Sequence, residues 1–443
     1  MVGAGQAGVE LAVSLRQGGY QGTVTLVGAE SHAPYQRPPL SKGYLAGDGG
    51  TLTLRPAEFY RAHGIEVLRG VSVVGAVPVV GADPGHLVTD DGTTIAYDRL
   101  AITTGAGPRR LDVPGDGLPG VHYLRTVDDS DRLRAIVAAP GTGRIVVVGG
   151  GFIGLEVAAV ARTLGRRVTV VEAAPRLMPR AVAPVVSDFY AEAHLRRGVE
   201  IRLGTGVVAL HGDDRLREVE LSDGTRLPAD VAVVGVGIVP RTELATSLGL
   251  RVEGGIVVDA AGRTSDGVTV AAGDCVVAPH PLTGDGLVRL ESVPGAVAQA
   301  RVAAATLLGR PLRAAAVPWF WSDQYDLKLQ IAGLADGHDA TVVRRDGDTL
   351  AVLYYRGETL LAVHAVNRVA DYVAVRKALA ARATIPAASA TDPATPLAGL
   401  ARPVTPAPVT PAPVTPGPVT PAPVTPAAPV ARAADDLLTR AEQ

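Results

Sequence analysis

Only one cysteine, Cys275, occurs among the 443 residues. An intrachain disulfide is therefore impossible, and so is any relay of electrons through a cysteine pair. A reducing, cytoplasmic compartment fits that composition. Aromatic residues are equally scarce, 4% of the chain against 47% apolar overall, so the cores must be built from Val, Ala and Leu. No apolar run approaches the ~18–20 residues of a membrane span, and no basic stretch with a cleavage site marks a secretion signal. Lys and Arg total 42 against 44 Asp and Glu, which leaves no positive footprint for nucleic acid or an anionic membrane. The 9 histidines are scattered without ligand spacing such as HExxH, and no protein-bound metal is expected.

What is present is an alternation of short Val-rich runs with helical stretches. Thr23–Gly28 reads as a strand after a turn and helix over Gly3–Gly18, and Arg144–Gly149 reads as a strand before a helix over Gly154–Leu164, with Val168–Glu172 closing the unit. Such alternation predicts parallel sheets with helices on their faces. Val67–Val80 with Gly85–Arg99, and Glu218–Leu227, carry Asp-Gly turn signals and read as small antiparallel insertions, one per unit. From Pro318 the texture changes to successive strands, Leu329–Gly333, Ala340–Arg345, Leu350–Arg356 and Thr359–Val366, closed by a helix over Asp371–Ala381. After Thr384 the composition collapses, and Pro403–Pro426 repeats PVTPA. Proline at that frequency forms neither helix nor sheet, so residues 384–443 are expected to be a disordered tail, either an inert linker or a spacer carrying a docking peptide.

Two motifs carry the chemistry. Gly3-Ala4-Gly5-Gln6-Ala7-Gly8 matches GxGxxG: Gly3 permits the tight turn, Gly5 lets a pyrophosphate approach the backbone, and Gly8 lets helix and strand pack closely. The helix N-terminus then offers free N–H groups to phosphate, and Glu30 ends the next strand, where a carboxylate can hold ribose hydroxyls. Alone, the motif is also compatible with a glycine-rich turn that binds nothing. It is repeated, however, at Gly149-Gly150-Gly151-Phe152-Ile153-Gly154. Gly149, Gly151 and Gly154 repeat the three roles, and Glu172 repeats the acidic strand end. A carboxylate there repels a 2′-phosphate and favours NADH, although Arg176 and Arg180 lie close in sequence. Two dinucleotide units in one chain imply two dinucleotides, FAD and NADH.

Arg37-Pro38-Pro39-Leu40-Ser41-Lys42, Tyr123-Leu124-Arg125-Thr126, Gly273-Asp274-Cys275, Glu291-Ser292-Val293-Pro294 and Pro318–Tyr325 (PWFWSDQY) occur in that order. With them the chain resembles the ferredoxin and rubredoxin reductases of bacterial oxygenase systems, the putidaredoxin reductase type among them, over residues 1–383. The resemblance implies an α/β fold of glutathione-reductase-like architecture. Two Rossmann-like domains are expected, the FAD-binding one over 1–107 and 241–316 and the NAD-binding one over 108–240, followed by a C-terminal α+β domain over 317–383.

It also implies roles. Ala7 and Glu30 lie along the FAD pyrophosphate and ribose, although this family places its acidic residue one position earlier, at Ala29 here. Val73 contacts the adenine side, Arg125 binds FAD from the crossover, Asp274 accepts from the ribityl chain, and Val293 sets its backbone against the flavin ring. Gly237 and Trp321 join the cofactor-binding set. Lys42 stands beside the flavin and near Glu156, which faces the nicotinamide; the plainer readings are a solvated lysine at a helix start and a carboxylate on a helix surface. Trp319, Trp321 and Arg301 face an electron carrier, with plain core packing the alternative for the tryptophans.

The expected activity is transfer of a hydride from NADH to FAD, then of single electrons to a [2Fe–2S] ferredoxin or rubredoxin that serves a cytochrome P450 or dioxygenase. The rival readings are an NADH oxidase or diaphorase, and a non-catalytic flavoprotein sensor resembling apoptosis-inducing factor. Cys275 is expected to be a buried structural thiol. One defect stands out: a central strand of ~5 residues belongs before the first motif, yet only Met1 and Val2 precede Gly3. A natural start further upstream and weak FAD retention are the expectation.

Overall fold

The computed structural model describes residues 1–139, 143–284, 286–312 and 314–404; nearly all of the PVTPA repeat lies outside the described residues. In the first sheet, Val24–Gly28 pairs in parallel with Ile65–Arg69, and Ala101–Ile102 with Val270–Ala271. Val2 joins these pairs, bridging Val27 on one side and Ile102 on the other. The ladder is complete on both sides of it: Val27 N donates to Met1 O, Gly3 N to Val27 O, Val2 N to Ala101 O and Thr103 N to Val2 O. The central slot, expected to need a longer strand, is occupied by Met1 and Val2, with Val2 buried. Helices Gln6–Gln17 and Val293–Leu307 pack together beneath this sheet through Leu11, Leu15, Ala300 and Ala304.

The second sheet has the order Glu200–Leu203, Arg167–Glu172, Arg144–Val148, Val231–Val234, Val121–Tyr123, all parallel. Its central strands, Arg144–Val148 and Val231–Val234, are nearly continuous Val, Ile and Ala runs because both faces are covered. Side chains alternate: Ile145, Val147 and Val170 enter one core with Leu155, Leu133 and Phe189 of the flanking helices. Val146, Val148 and Val171 enter another with Leu210, Val219 and Leu221 of an antiparallel insertion. The two insertions are antiparallel as expected, Val73–Val77, Gly85–Thr89 and Thr94–Tyr97 in one, Val207–His211, Glu218–Leu221 and Arg226–Pro228 in the other, but the first begins later than Val67, because Val67–Arg69 belongs to the parallel strand Ile65–Arg69. Gly92 and Gly224 supply the turns with φ of 81° and 83°. The chain's two passages between the parallel sheets run side by side, Ala106–Pro108 antiparallel to Ile238–Pro240.

The third sheet is antiparallel, in the order Trp319–Gln324, Leu327–Gly333, Thr359–Val366, Thr349–Arg356, Ala340–Asp346, with helix Val369–Ala380 against it. Here the sequence boundary needs correction. Ordered structure does not stop at residue 383: Ile385, Ala390 and Leu397 are buried in the same core as Tyr355, Val363 and Val375. Arg344 explains why. Its guanidinium is fully buried and donates to the carbonyls of Ala390, Asp392, Pro393 and Thr395 and to the carboxylate of Asp371. A segment with few apolar residues is thus fastened through its backbone, which composition cannot reveal.

Candidate functional site

A cleft of about 1480 Å³ runs between the two parallel sheets and the third. That exceeds the ~300–1,000 Å³ of a single-ligand pocket, as two dinucleotides require. Both glycine motifs open onto it, and their glycines divide the work as the motif logic demands. Added Cβ atoms on Gly8 and Gly154 would sit 2.1 Å from the carbonyl oxygens of Gly3 and Gly149, so these two serve helix packing and do not line the cleft. Gly3 and Gly149 have φ of 115° and 107° and turn the chain. Gly5 and Gly151 line the cleft, and a Cβ there would meet nothing within 4 Å. Each begins a helix, Gln6–Gln17 and Phe152–Thr163, that no side chain caps. Free N–H groups at a helix start beside empty space suit a pyrophosphate, so the residues present fit two dinucleotides.

At the centre of the cleft three parts of the chain meet on one carboxylate. Glu156, on the second motif's helix, is 1% exposed and pairs with Lys42 Nζ at 2.8 Å. Ser41 Oγ donates to its Oε2 at 2.5 Å, and Ser322 Oγ donates to its Oε1 at 2.6 Å. Glu156 is therefore no surface carboxylate, and Lys42, with 17% of its side chain exposed, is no solvated lysine. Ser41 ends the 3-10 turn Pro38–Ser41, and Lys42 leads into the short helix Gly43–Ala46. Pro38 and Pro39 occupy the first positions of this turn, where a missing N–H costs nothing, and the turn brings both Ser41 and Lys42 to Glu156.

The remaining residues singled out in the sequence gather here as well. Ala7, Glu30, Val73, Arg125, Glu172, Gly237, Asp274, Val293, Trp319 and Trp321 all line the cleft. Arg125 Nη2 pairs with Asp274 Oδ2 at 3.0 Å. The Glu30 carboxylate accepts from Arg37 Nη2 at 2.5 Å and from the Tyr35 hydroxyl; burial pushes that hydroxyl's pKa up. Glu172 accepts from Gly150 N at 2.7 Å and Ala174 N at 2.8 Å, which fixes its carboxylate at the strand end. Arg176 is consumed by Val182 O, Ser187 Oγ and Pro179 O, so it is not free to welcome a 2′-phosphate, whereas Arg180 also lines the cleft. Ser292 caps helix Val293–Leu307 by accepting from Gly295 N, which turns the Val293 backbone toward the cleft.

Trp319 and Trp321 lie 5.5 Å apart, centroid to centroid, and Arg376 stands over the Trp319 ring. Both are half-buried cleft-lining residues, so plain core packing does not describe them. Arg301 lies outside the cleft and donates to Glu10 Oε1 at 2.7 Å, with 66% of its side chain exposed. Cys275 is fully buried on the face of the first sheet opposite helices Gln6–Gln17 and Val293–Leu307, with Val2, Ile102 and Ala271, where burial raises its thiol pKa, and it does not reach the cleft. The sequence reading gave no role to Ser41, Ser322, Gln324 or Arg37. All four stand inside the recognised motifs, and Ser41 and Ser322 adjoin residues that had a task, Lys42 and Trp321.

Residues 1–300 match the family described as pyridine nucleotide-disulphide oxidoreductase, and residues 319–401 the one described as reductase C-terminal. The second span also runs past residue 383. The chain is similar to rhodocoxin reductase of Rhodococcus erythropolis, 47% identical over 398 residues that cover 88% of this chain and 91% of that one. It is similar to putidaredoxin reductase of Pseudomonas putida, 41% identical over 382 residues, 84% of this chain and 89% of the other. Among solved structures, the covalent putidaredoxin reductase–putidaredoxin complex matches with a TM-score of 0.85 at 40% identity, covering 89% of this chain and 96% of that chain.

Proposed function

The chain belongs to the pyridine nucleotide-disulphide oxidoreductase family, and from that premise we propose that it is an NADH-dependent ferredoxin reductase carrying FAD. The observation that carries this reading is the convergence of two glycine cradles, Lys42 and Glu156, and the Trp319–Trp321 pair on one cleft. FAD, when bound, supplies the exchange between a hydride taken from NADH and electrons released singly. The protein's own part is placement and charge. Gly5 and the helix behind it hold one pyrophosphate, and Gly151 and its helix hold the other. Glu172 holds the ribose diol of NADH against a 2′-phosphate. Arg125 and Asp274 bind along the FAD side of the cleft, with Glu30, Val73, Gly237 and Val293 at its edges. Lys42, fixed by Glu156, offers a positive charge where negative charge grows on reduction.

The partner that fits is a small [2Fe–2S] ferredoxin or a rubredoxin, meeting the Trp319 face and steered in part by exposed cations such as Arg301. It would feed a cytochrome P450 or a dioxygenase. Relatives whose names specify rhodocoxin, putidaredoxin and rubredoxin support this carrier class. Among the described residues no helix is long and apolar enough to cross a membrane, and a lone buried thiol supports a cytoplasmic setting. Burial of Cys275 removes any route through a peroxidatic thiol.

The test is anaerobic bleaching of the protein's visible band by NADH, followed by cytochrome c reduction with and without added [2Fe–2S] ferredoxin. Strong stimulation by ferredoxin supports the proposal. A band that does not bleach, or peroxide formation without stimulation, overturns it.

A further inference from the structure

Behind the cleft wall, Glu156 is reached by a string of hydrogen bonds that begins in a different part of the chain. Tyr325 OH stands 3.5 Å from His194 Nδ1, and His194 Nε2 lies 2.9 Å from Gln324 Oε1. Gln324 Nε2 donates to Ser322 Oγ at 3.3 Å, and Ser322 Oγ donates to Glu156 Oε1 at 2.6 Å. We propose that Gln324, oriented by His194, is a positioning residue that turns the Ser322 hydroxyl onto Glu156 and so holds the carboxylate on Lys42. This rests on the reading of Lys42 and Glu156 as the charged pair of the reductase.

The direction of the string follows from donor and acceptor bookkeeping. A tyrosine hydroxyl donating to Nδ1 leaves neutral histidine with its proton on Nε2. His194 is fully buried, and burial lowers its pKa, so the neutral form is the resident one. A protonated Nε2 must face the oxygen of the Gln324 amide, which puts the amide nitrogen against Ser322. The Ser322 oxygen then accepts, and its own proton has a single remaining acceptor, Glu156 Oε1. Every member is a donor toward the carboxylate, which accepts from Ser322 at Oε1 as it accepts from Ser41 at Oε2. Ser322 and Gln324 are two apart on one strand and project to the same face, which lets both reach inward while the intervening Asp323 points away.

A structural role alone would leave Gln324 fully buried yet indifferent to Lys42. The chain holds three lysines, Lys42, Lys328 and Lys377, and the latter two are exposed, so they serve as internal references. The experiment measures acylation of each lysine by mass spectrometry in the flavin-loaded protein, in the parent, Gln324→Leu, Ser322→Ala, Ser322→Thr and the Gln324→Leu/Ser322→Ala double variant.

A hydrogen bond to a charged group is worth enough that its loss should raise Lys42 labelling about 3- to 10-fold, with the reference lysines unchanged. Ser322→Thr keeps the hydroxyl and should stay at the parent level. The double variant should label no faster than Ser322→Ala alone, because Gln324 acts only through Ser322. Lys42 labelling in Gln324→Leu equal to the parent overturns the proposal, as does an additive double variant. If Gln324→Leu fails to accumulate folded protein, Gln324→Met takes its place, and parent-level Lys42 labelling in that variant overturns the proposal. A parent protein whose band NADH does not bleach would sink the reductase reading while leaving the labelling result to stand by itself.

Discussion

Replacing Lys42 with methionine separates what the Lys42–Glu156 pair does for the fold from what it does for the reaction. At the observed 2.8 Å and an effective dielectric of ~20, the attraction is about 6 kcal/mol before any desolvation. Lys42 retains some contact with solvent, and both groups lost hydration on folding, so the net loss is smaller. Breaking a buried pair costs about 3–5 kcal/mol, because one charge is left without its counter-ion. The two serine hydroxyls remain on Glu156, which places Lys42→Met near the lower end, about 3–4 kcal/mol. Spread over the described chain, that is a fall of about 4 °C in Tm.

The Lys42→Met/Glu156→Gln double variant removes both charges, and the Ser41 and Ser322 hydroxyls can rotate to meet an amide. Most of the lost thermal tolerance should return, to within about 1 kcal/mol of the parent. The reaction should not recover: stopped-flow bleaching by NADH should remain at least ~10-fold slow in both variants, since the positive charge is absent from each. Differential scanning fluorimetry and stopped-flow absorbance on the same preparations give the two readouts. A double variant that regains both Tm and rate would show that Lys42 acts only as a structural counter-ion. A single variant with unchanged rate and unchanged Tm would refute the argument altogether.

Gly5→Val adds a side chain where nothing lies within 4 Å; circular dichroism should be unchanged while flavin occupancy falls severalfold. Gly8→Ala, whose Cβ would stand 2.1 Å from Gly3 O, should instead cost the fold about 1–3 kcal/mol by overpacking, read as a lower Tm with or without flavin. Arg344→Met should release the segment after residue 385, at a cost of about 3–5 kcal/mol from Asp371 left buried beside fewer cations, detected as faster proteolysis in that segment. His364 is buried, and burial lowers its pKa from 6.5 to about 3. A depressed histidine leaves stability intact above its unfolded pKa and erodes it as pH falls from there toward the folded value. At pH 5 this amounts to about 2 kcal/mol. His364→Gln should show a shallower acid dependence of Tm between pH 6.5 and 4, and an identical dependence would disprove the assignment.

The parallel units were legible because their signals are local. A Val-rich run followed by glycines at fixed offsets can be only a strand, a tight turn and a helix start, and the second copy removes the ambiguity of the first. The antiparallel insertions announced themselves through Asp91-Gly92 and Asp223-Gly224, whose glycines take the positive φ that such turns need. Residues 385–404 were not legible, because what orders them is the reach of Arg344 from a strand some forty residues earlier into their backbone carbonyls. The Ser41–Glu156–Ser322 cluster was half legible: each residue stood in a noticed motif, but hydroxyl partners are set by three-dimensional approach, not by spacing.

By itself the sequence determined two dinucleotide cradles, a third antiparallel unit, and chemistry that proceeds without a cysteine pair. These follow from local backbone geometry and from composition, which need no knowledge of what folds against what. Only the tertiary structure decided that Ser41 and Lys42 from one unit, Glu156 from another and Ser322 from the third share a single buried carboxylate. The burial that gives that carboxylate its hold on Lys42 exists only once all three have closed around it.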